Sequence, residues 1–260
     1  MDSLNADQEV LRAAERSTFY KLLAKALMYP LPKMQDDVRR LLAEEVVVSP
    51  AGSETSDHVL NGKLRAFNDA VVSLDSREEL MEMEQEYNRM FSQSGSTGCP
   101  PHETEYGYEN IFQKTQAMAD IAGFYSAYGI EVSDTNTERV DFIGTELQFM
   151  AYLTLNEAYA IEAGDVDQLE ICRDVQRKFL RDHLGRWVDA FTQALRGKTS
   201  LTYYSTLSDL LNCYLRAECR MFQVEITELA TLRPIEAKPV PFGCEACLGD
   251  QESVTEQRGG

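Results

Sequence analysis

The stretch Leu201–Pro234, LTYYSTLSDLLNCYLRAECRMFQVEITELATLRP, decides the fold. Its apolar residues Leu207, Leu211, Tyr214, Leu215, Met221, Phe222, Ile226 and Leu229 recur at steps of three and four. That is the period of a helix with one buried stripe, and it predicts a helix over 200–231 of roughly 28 residues or more. Pro234 is the first proline since Pro101, so nothing between them forbids long helices. The remaining prolines cluster at Pro30, Pro32, Pro50, Pro100, Pro239 and Pro241. Phe19, Leu22, Leu23, Ala26 and Leu27 repeat the buried-stripe pattern near the N-terminus. Capping-box spacings stand at Asn5/Gln8, Ser76/Glu79 and Asp165/Gln168. Gly129, Gly164 and Gly197 fall where stripes stop, as left-handed C′ residues do.

The predicted helices are 6–29, 33–45, 57–74, 76–91, 109–128, 137–163, 166–182, 183–196 and 200–231. No run of alternating β-branched residues competes, since Val46–Val48 is too short to found a sheet. The fold class expected is therefore all-α: one helical-bundle-like domain of about nine helices over 1–232. A Gly-, Ser- and Pro-rich loop, 92–106, and a linker, 130–140, interrupt it, and an extended or mobile tail, 233–260, follows.

Composition narrows the function. The chain has 260 residues, with 43 Asp and Glu against 25 Lys and Arg, a net charge of −18. Such acidity opposes binding to nucleic-acid phosphates or an anionic membrane, and it permits a cationic partner. No stretch approaches the ~20 apolar residues that span a bilayer, and the N-terminus, MDSLNADQEV, lacks the basic and apolar parts of a secretory signal. A cytoplasmic location is expected. Six scattered cysteines do not form a disulfide scaffold, and Cys172, Cys213 and Cys219 read as reduced core thiols.

The usual catalytic arrangements are missing. None of His58, His102 and His183 has a Glu three places before it, so the Glu-x-x-His pairs of helical di-iron proteins are absent. Gly197-Lys198-Thr199 ends like a phosphate loop, but the earlier glycine that loop requires is Thr192 here. With no nucleophile–base constellation, the chain does not read as an enzyme, and no cofactor is expected. Cys244-x-x-Cys247 in the tail has a spacing that suits a metal or a redox disulfide. A closed zinc site needs four ligands, and no second pair stands nearby. A small helical metal-binding or redox protein using Cys244 and Cys247 is the alternative reading.

Acidity concentrates between Glu78 and Glu109, where eight glutamates face Arg89 alone, a net −7. Tyr87, Phe91, Tyr106 and Tyr108 are interleaved with them. Carboxylates beside aromatic faces suit an arginine-bearing peptide through charge-assisted hydrogen bonds and cation–π contact.

Two blocks then carry a resemblance. Glu86-Tyr87-Asn88-Arg89-Met90-Phe91, a Gly/Ser loop, and Pro100-Pro101-His102-Glu103-Thr104-Glu105-Tyr106-Gly107 form the first. Asp141-Phe142-Ile143-Gly144-Thr145-Glu146-Leu147-Gln148-Phe149-Met150 is the second, with Phe179-Leu180, His183-Leu184 and Trp187 further on. Over roughly 10–230 the chain resembles the TorD/DmsD/NarJ-type redox-enzyme maturation chaperones. It is most similar to the branch serving type II molybdoenzymes of the DMSO-reductase family. The resemblance implies an all-helical cytoplasmic chaperone. Monomer and dimer both stay open, a domain-swapped dimer being one that exchanges helices across the 130–140 linker. Its partner would be the molybdenum-containing catalytic subunit of an exported oxidoreductase, with its twin-arginine signal peptide. Carried over by position, the client-binding residues are Tyr87, Phe91, Pro101, Glu103, Glu105, Tyr106 and Asp141. Phe142 stands where the family has histidine, which removes a proton-dependent role there. Asp141 is expected to be oriented by the amides of a helix N-terminus or to act as a favourable first-turn charge. His183 and Trp187 are expected to pack.

Overall fold

The computed structural model describes residues 3–43, 54–91, 99–108, 110–130 and 138–225. Among them are nine α-helices: α1 (Ser3–Ala26), α2 (Pro32–Ala43), α3 (Glu54–Val72), α4 (Arg77–Phe91), α5 (Ile111–Ala127), α6 (Ile143–Ala163), α7 (Val166–Phe179), α8 (Gly185–Lys198) and α9 (Thr202–Met221). The only β pairing among the described residues is an isolated antiparallel bridge between His102 and Phe142. The all-α expectation therefore holds.

The most apolar helix, α6, is the axis of the body. α1 packs along it and α7 closes its far side, while α3 and α8 pack on α9. The predicted stripe of α1, Phe19, Leu22, Leu23, Ala26 and Leu27, is buried, as are Leu207, Leu211, Tyr214 and Leu215 on α9. Hydrophobic burial of these faces supplies most of the stabilisation that holds such helices in place. Local chemistry sets several ends. Pro32 occupies the first position of α2, where its missing N–H costs nothing. The Ser76 hydroxyl accepts from the Glu79 amide at 3.1 Å and the Glu79 carboxylate accepts from the Ser76 amide at 2.8 Å, a complete capping box. Asp165 caps α7 through the Gln168 amide, and Gly164 and Gly129 take positive φ at helix ends.

Several boundaries differ from expectation. α9 stops at Met221, because Gln223 turns into the left-handed region and the Val224 amide donates back to the Cys219 carbonyl at 2.7 Å. With the Gln223 amide on the Arg220 carbonyl, this is a Schellman ending without glycine. Ile226 and Leu229 of the predicted stripe lie outside the described residues. α6 begins at Ile143 rather than 137, since the backbone before it pairs with the 101–103 segment. α7 and α8 do not break; a π segment, Leu180–Leu184, joins them and turns His183 and Leu184 inward. Gly197 lies within α8, which Thr199 caps. α1 already contains Asn5, so the predicted start there is displaced. Cys172 and Cys219 are buried thiols, whereas Cys213 is only half-buried.

Candidate functional site

The segment 99–108 is seated from both ends by backbone bonds. The Cys99 amide donates to the Met90 carbonyl at the end of α4 at 2.8 Å. The Ile143 amide donates to the Pro101 carbonyl, and the Glu103 amide to the Asp141 carbonyl, each at 2.9 Å. Pro100 and Pro101 hold this part extended, and Glu103–Glu105 then close a 3₁₀ turn. The two sequence blocks thus meet where α6 begins.

Asp141 locks that junction. Fully buried, its carboxylate accepts from the Thr104 amide at 3.1 Å and the Thr104 hydroxyl at 2.7 Å, and from Arg139 Nε and Nη2 at 2.9 and 2.7 Å. Burial pushes its pKa up, but the bonds from Arg139 and Thr104 outweigh burial and hold it below the ordinary value. Asp141 precedes the first turn of α6, so neither role expected for it is the one observed. Its partners are Thr104 across the junction and Arg139 two residues before it, not the amides of α6. Arg139 also reaches Glu105 at 3.4 Å, and Lys114 on α5 pairs with Glu105 at 2.7 Å.

Behind this lies a second acidic pair. Glu103 is buried, accepts from the Tyr108 hydroxyl at 2.9 Å and lies 3.2 Å from His183 Nδ1. Glu146, also buried, accepts from Trp187 Nε1 at 3.2 Å. Burial and the neighbouring Glu103 charge push the Glu146 pKa well above the usual carboxylate range. His183 also stacks near Phe124 and Phe179, and its Nε2 lies 3.2 Å from exposed Asp120 without hydrogen-bond geometry. His183 and Trp187 therefore pack, as expected, and each also serves a buried carboxyl.

The aromatic residues of the first block form one connected row. Tyr87 meets Phe91 edge-on at 4.7 Å, Phe91 meets Phe191 at 6.3 Å, Phe191 meets Trp187 at 5.4 Å, and Trp187 meets Tyr106 at 5.2 Å. The Tyr106 hydroxyl donates to the Pro100 carbonyl at 2.8 Å. Of the seven predicted binding residues, Tyr87, Phe91, Pro101, Glu103, Tyr106 and Asp141 are buried, and Glu105 is half-buried. The structure brings Pro101, Glu103, Glu105, Tyr106 and Asp141 into one junction. Tyr87 and Phe91 join it only through the aromatic row.

Solvent meets this junction along α5. Ile111 and Phe112 are exposed at 66% and 83%, beside half-buried Tyr108, whose ring lies under the Arg186 guanidinium. Asn110 caps α5 by accepting from the Gln113 amide.

The turn Gly197-Lys198-Thr199 is filled from within. Glu86 accepts from the Ser200 amide at 2.8 Å and the Thr199 hydroxyl at 3.0 Å, and Arg89 donates to the Lys198 carbonyl. Burial opposes the Glu86 charge, but bonds from Arg89, Ser200 and Thr199 lower its pKa to about 2. The donors that would face a phosphate hold this carboxylate instead.

Sequence reasoning missed one centre entirely. Arg16, 4% exposed, donates to Glu218 at 2.6 Å, Glu157 at 2.8 Å and Gln176 at 2.6 Å. The Tyr20 hydroxyl joins on Glu218. Its signal was the polar residues Arg16, Glu157, Gln176 and Glu218, which interrupt the apolar faces of α1, α6, α7 and α9. No group of His, Cys, Asp and Glu suited to a metal occurs among the described residues, and Cys244 and Cys247 lie outside them. No helix of the described residues is long and apolar enough to cross a membrane.

An all-helical body brings five of the seven residues singled out in the sequence into one polar junction, where the 99–108 segment meets the start of α6. The family model described as nitrate reductase delta subunit matches residues 35–193, and the chain belongs to that family, the TorD/NarJ-type maturation chaperones. It is 26% identical over 153 residues to the chaperone protein TorD of Photobacterium profundum, covering 58% of this chain and 69% of that one. It is 28% identical over 139 residues to the chlorate reductase assembly chaperone protein of Ideonella dechloratans, covering 51% and 68%. The selenate reductase assembly chaperone protein of Thauera selenatis is 29% identical over 99 residues, 37% of this chain and 50% of that protein. These relatives are chaperones and not enzymes.

Proposed function

We propose that this chain is a cytoplasmic chaperone dedicated to one exported molybdenum-containing oxidoreductase, with the helical body over 1–232 as its working part. It binds the apo catalytic subunit, including the twin-arginine signal peptide, and holds it for cofactor insertion before export. The family match over residues 35–193 carries this reading, supported by relatives named for the assembly of chlorate and selenate reductases. The junction supports a location for this binding. Tyr87, Phe91, Pro101, Glu103, Tyr106 and Asp141 shape the site from beneath, and Glu105 and Asp120 are the carboxylates a guest arginine can reach. Ile111 and Phe112 offer apolar surface to the segment that follows the arginines in such a peptide.

Calorimetric titration of the full chain with the cognate signal peptide, and with a variant carrying two lysines in place of the arginines, tests the reading. A guanidinium fork matches a carboxylate in a way ammonium does not, so the lysine variant should bind about tenfold more weakly or worse. Phe112→Ser should weaken both peptides. Equal binding of the two peptides would eliminate the arginine-specific site. Failure to co-purify with the catalytic subunit, with or without its signal, would eliminate the chaperone assignment.

A further inference from the structure

Away from the acidic junction, α3, α8 and α9 enclose an open cavity of about 570 Å³. That is within the size range of small-molecule sites, roughly 300–1,000 Å³. Its charge is opposite to that of the chain. Lys63, Arg196, Arg216 and Arg220 line it against only Asp189 and Asp209, in a protein of net charge −18. The cations come from polar stripes on three helices. Asp189, Thr192, Gln193 and Arg196 follow the helical repeat on α8, as Asp209, Asn212, Arg216 and Arg220 do on α9.

Both carboxylates are already satisfied. Asp189 accepts from Arg216 Nη2 at 2.6 Å, Asn212 Nδ2 at 2.7 Å and Gln193 Nε2 at 2.9 Å. Asp209 accepts from Lys63 Nζ at 2.8 Å and is also paired with Arg196. Donors remain over. Arg216 Nε is shielded from solvent and has no acceptor among the described residues. Arg220, exposed one turn further along α9, pairs with no described residue. Half-buried Cys213 marks where the charges converge. Burial pushes its thiol pKa up, while Arg220 from α9 and Lys63 from α3 pull it down.

A shielded guanidinium donor without an acceptor is costly to leave unmade. Arg216 and Arg220 are four residues apart, about 6 Å along the axis, a span that two oxyanion groups of one ligand match. We infer that this cavity binds a small multivalent anion, carrying two or more carboxylate or phosphoryl groups that bridge Arg216 and Arg220. Val59 supplies an apolar wall beside the charged groups. The site shares no residue with the junction proposed to bind the client, so either can fail without the other.

Calorimetric titration of the full chain with pyrophosphate, and separately with citrate, at about 0.15 M salt tests this. At least one should bind with a Kd below about 1 mM, and Arg220→Gln should weaken it by about tenfold, the worth of a charge-assisted hydrogen bond. Arg220 makes no hydrogen bond or ion pair with a described residue, so this variant should unfold at the wild-type temperature. Lys33→Gln, an exposed charge change on α2, should bind as the wild type does. Pyrophosphate alone binding identifies a phosphoryl ligand, citrate alone a carboxylate one, and both a general oxyanion site. If neither binds, or if Arg220→Gln binds as well as the wild type, the inference is overturned.

Discussion

Asp141→Asn should loosen the junction between the 99–108 segment and α6. The wild-type carboxylate accepts two hydrogen bonds from Arg139 and two from Thr104. Asparagine keeps one acceptor oxygen, removes the charge, and turns an NH₂ toward groups that are themselves donors. Breaking a buried ion pair from one side costs about 3–5 kcal/mol. Arg139 is 32% exposed and can be partly rehydrated, so the lower end, about 3 kcal/mol, applies. For a domain of this size about 2–4 °C is lost per kcal/mol, giving a fall of about 6–12 °C in Tm at pH 7. The pH dependence has a definite sign. The Asp141 pKa is lower in the folded protein than in the unfolded chain, so its contribution is complete well above pH ~4 and disappears as pH falls through the folded value. The gap between wild type and variant should therefore narrow on acidification from pH 7 toward pH 3. Thermal unfolding followed by circular dichroism at several pH values reads both effects. A Tm within about 1 °C of wild type at pH 7, or a gap that does not narrow with acid, would refute the assignment of Asp141 as the charged lock.

Arg16→Met should leave Glu218 buried without its cation, and Glu157 with Arg173 alone, and cost about 3–5 kcal/mol in urea unfolding. Adding Glu218→Met and Glu157→Gln should restore much of that loss, because the uncompensated charges go with it. Glu146→Gln should be neutral or stabilising at pH 8. The folded pKa of Glu146 is raised, so its ionisation costs stability as pH rises from the unfolded value toward the folded one, and the amide removes that decline. Gly144→Ala should destabilise by about 1–3 kcal/mol, since a Cβ there would sit 2.5 Å from the Phe142 ring, and Phe142→Leu in the same chain should relieve it.

The helices were legible because each is an amphipathic stripe closed by local chemistry, and such signals lie within a few turns of sequence. Ser76 with Glu79, Asp165 with Gln168, and Gly164 needed no tertiary knowledge. The errors fall where distant partners outbid local preference. Residues 138–142 could continue α6 by composition, yet the Asp141 carbonyl accepts from the Glu103 amide across the junction, and the Ile143 amide donates to the Pro101 carbonyl. The π segment at Leu180–Leu184 changes no apolar count, so periodicity alone reads a break where the helix only re-registers. Arg16 binds partners 141 to 202 positions away, which no window of sequence contains.

The acidic stretch shows the same division between charge and its use. Glu79 closes a helix cap, Glu86 holds the α8–α9 turn, Glu103 meets Tyr108 and His183, and Glu105 is shared by Lys114 and Arg139. These carboxylates are therefore not idle. A guest arginine reaching Glu105 in the proposed complex must displace Lys114 or Arg139, exchanging one ion pair for another of similar strength. Such an exchange contributes discrimination between arginine and lysine, through fork geometry, far more than it contributes affinity. The affinity must then come from apolar surface withdrawn from water, and Ile111 and Phe112 are the large apolar side chains exposed beside that exchange. Peptide length beyond the arginine pair, rather than the pair itself, should for that reason set how tightly a client is held.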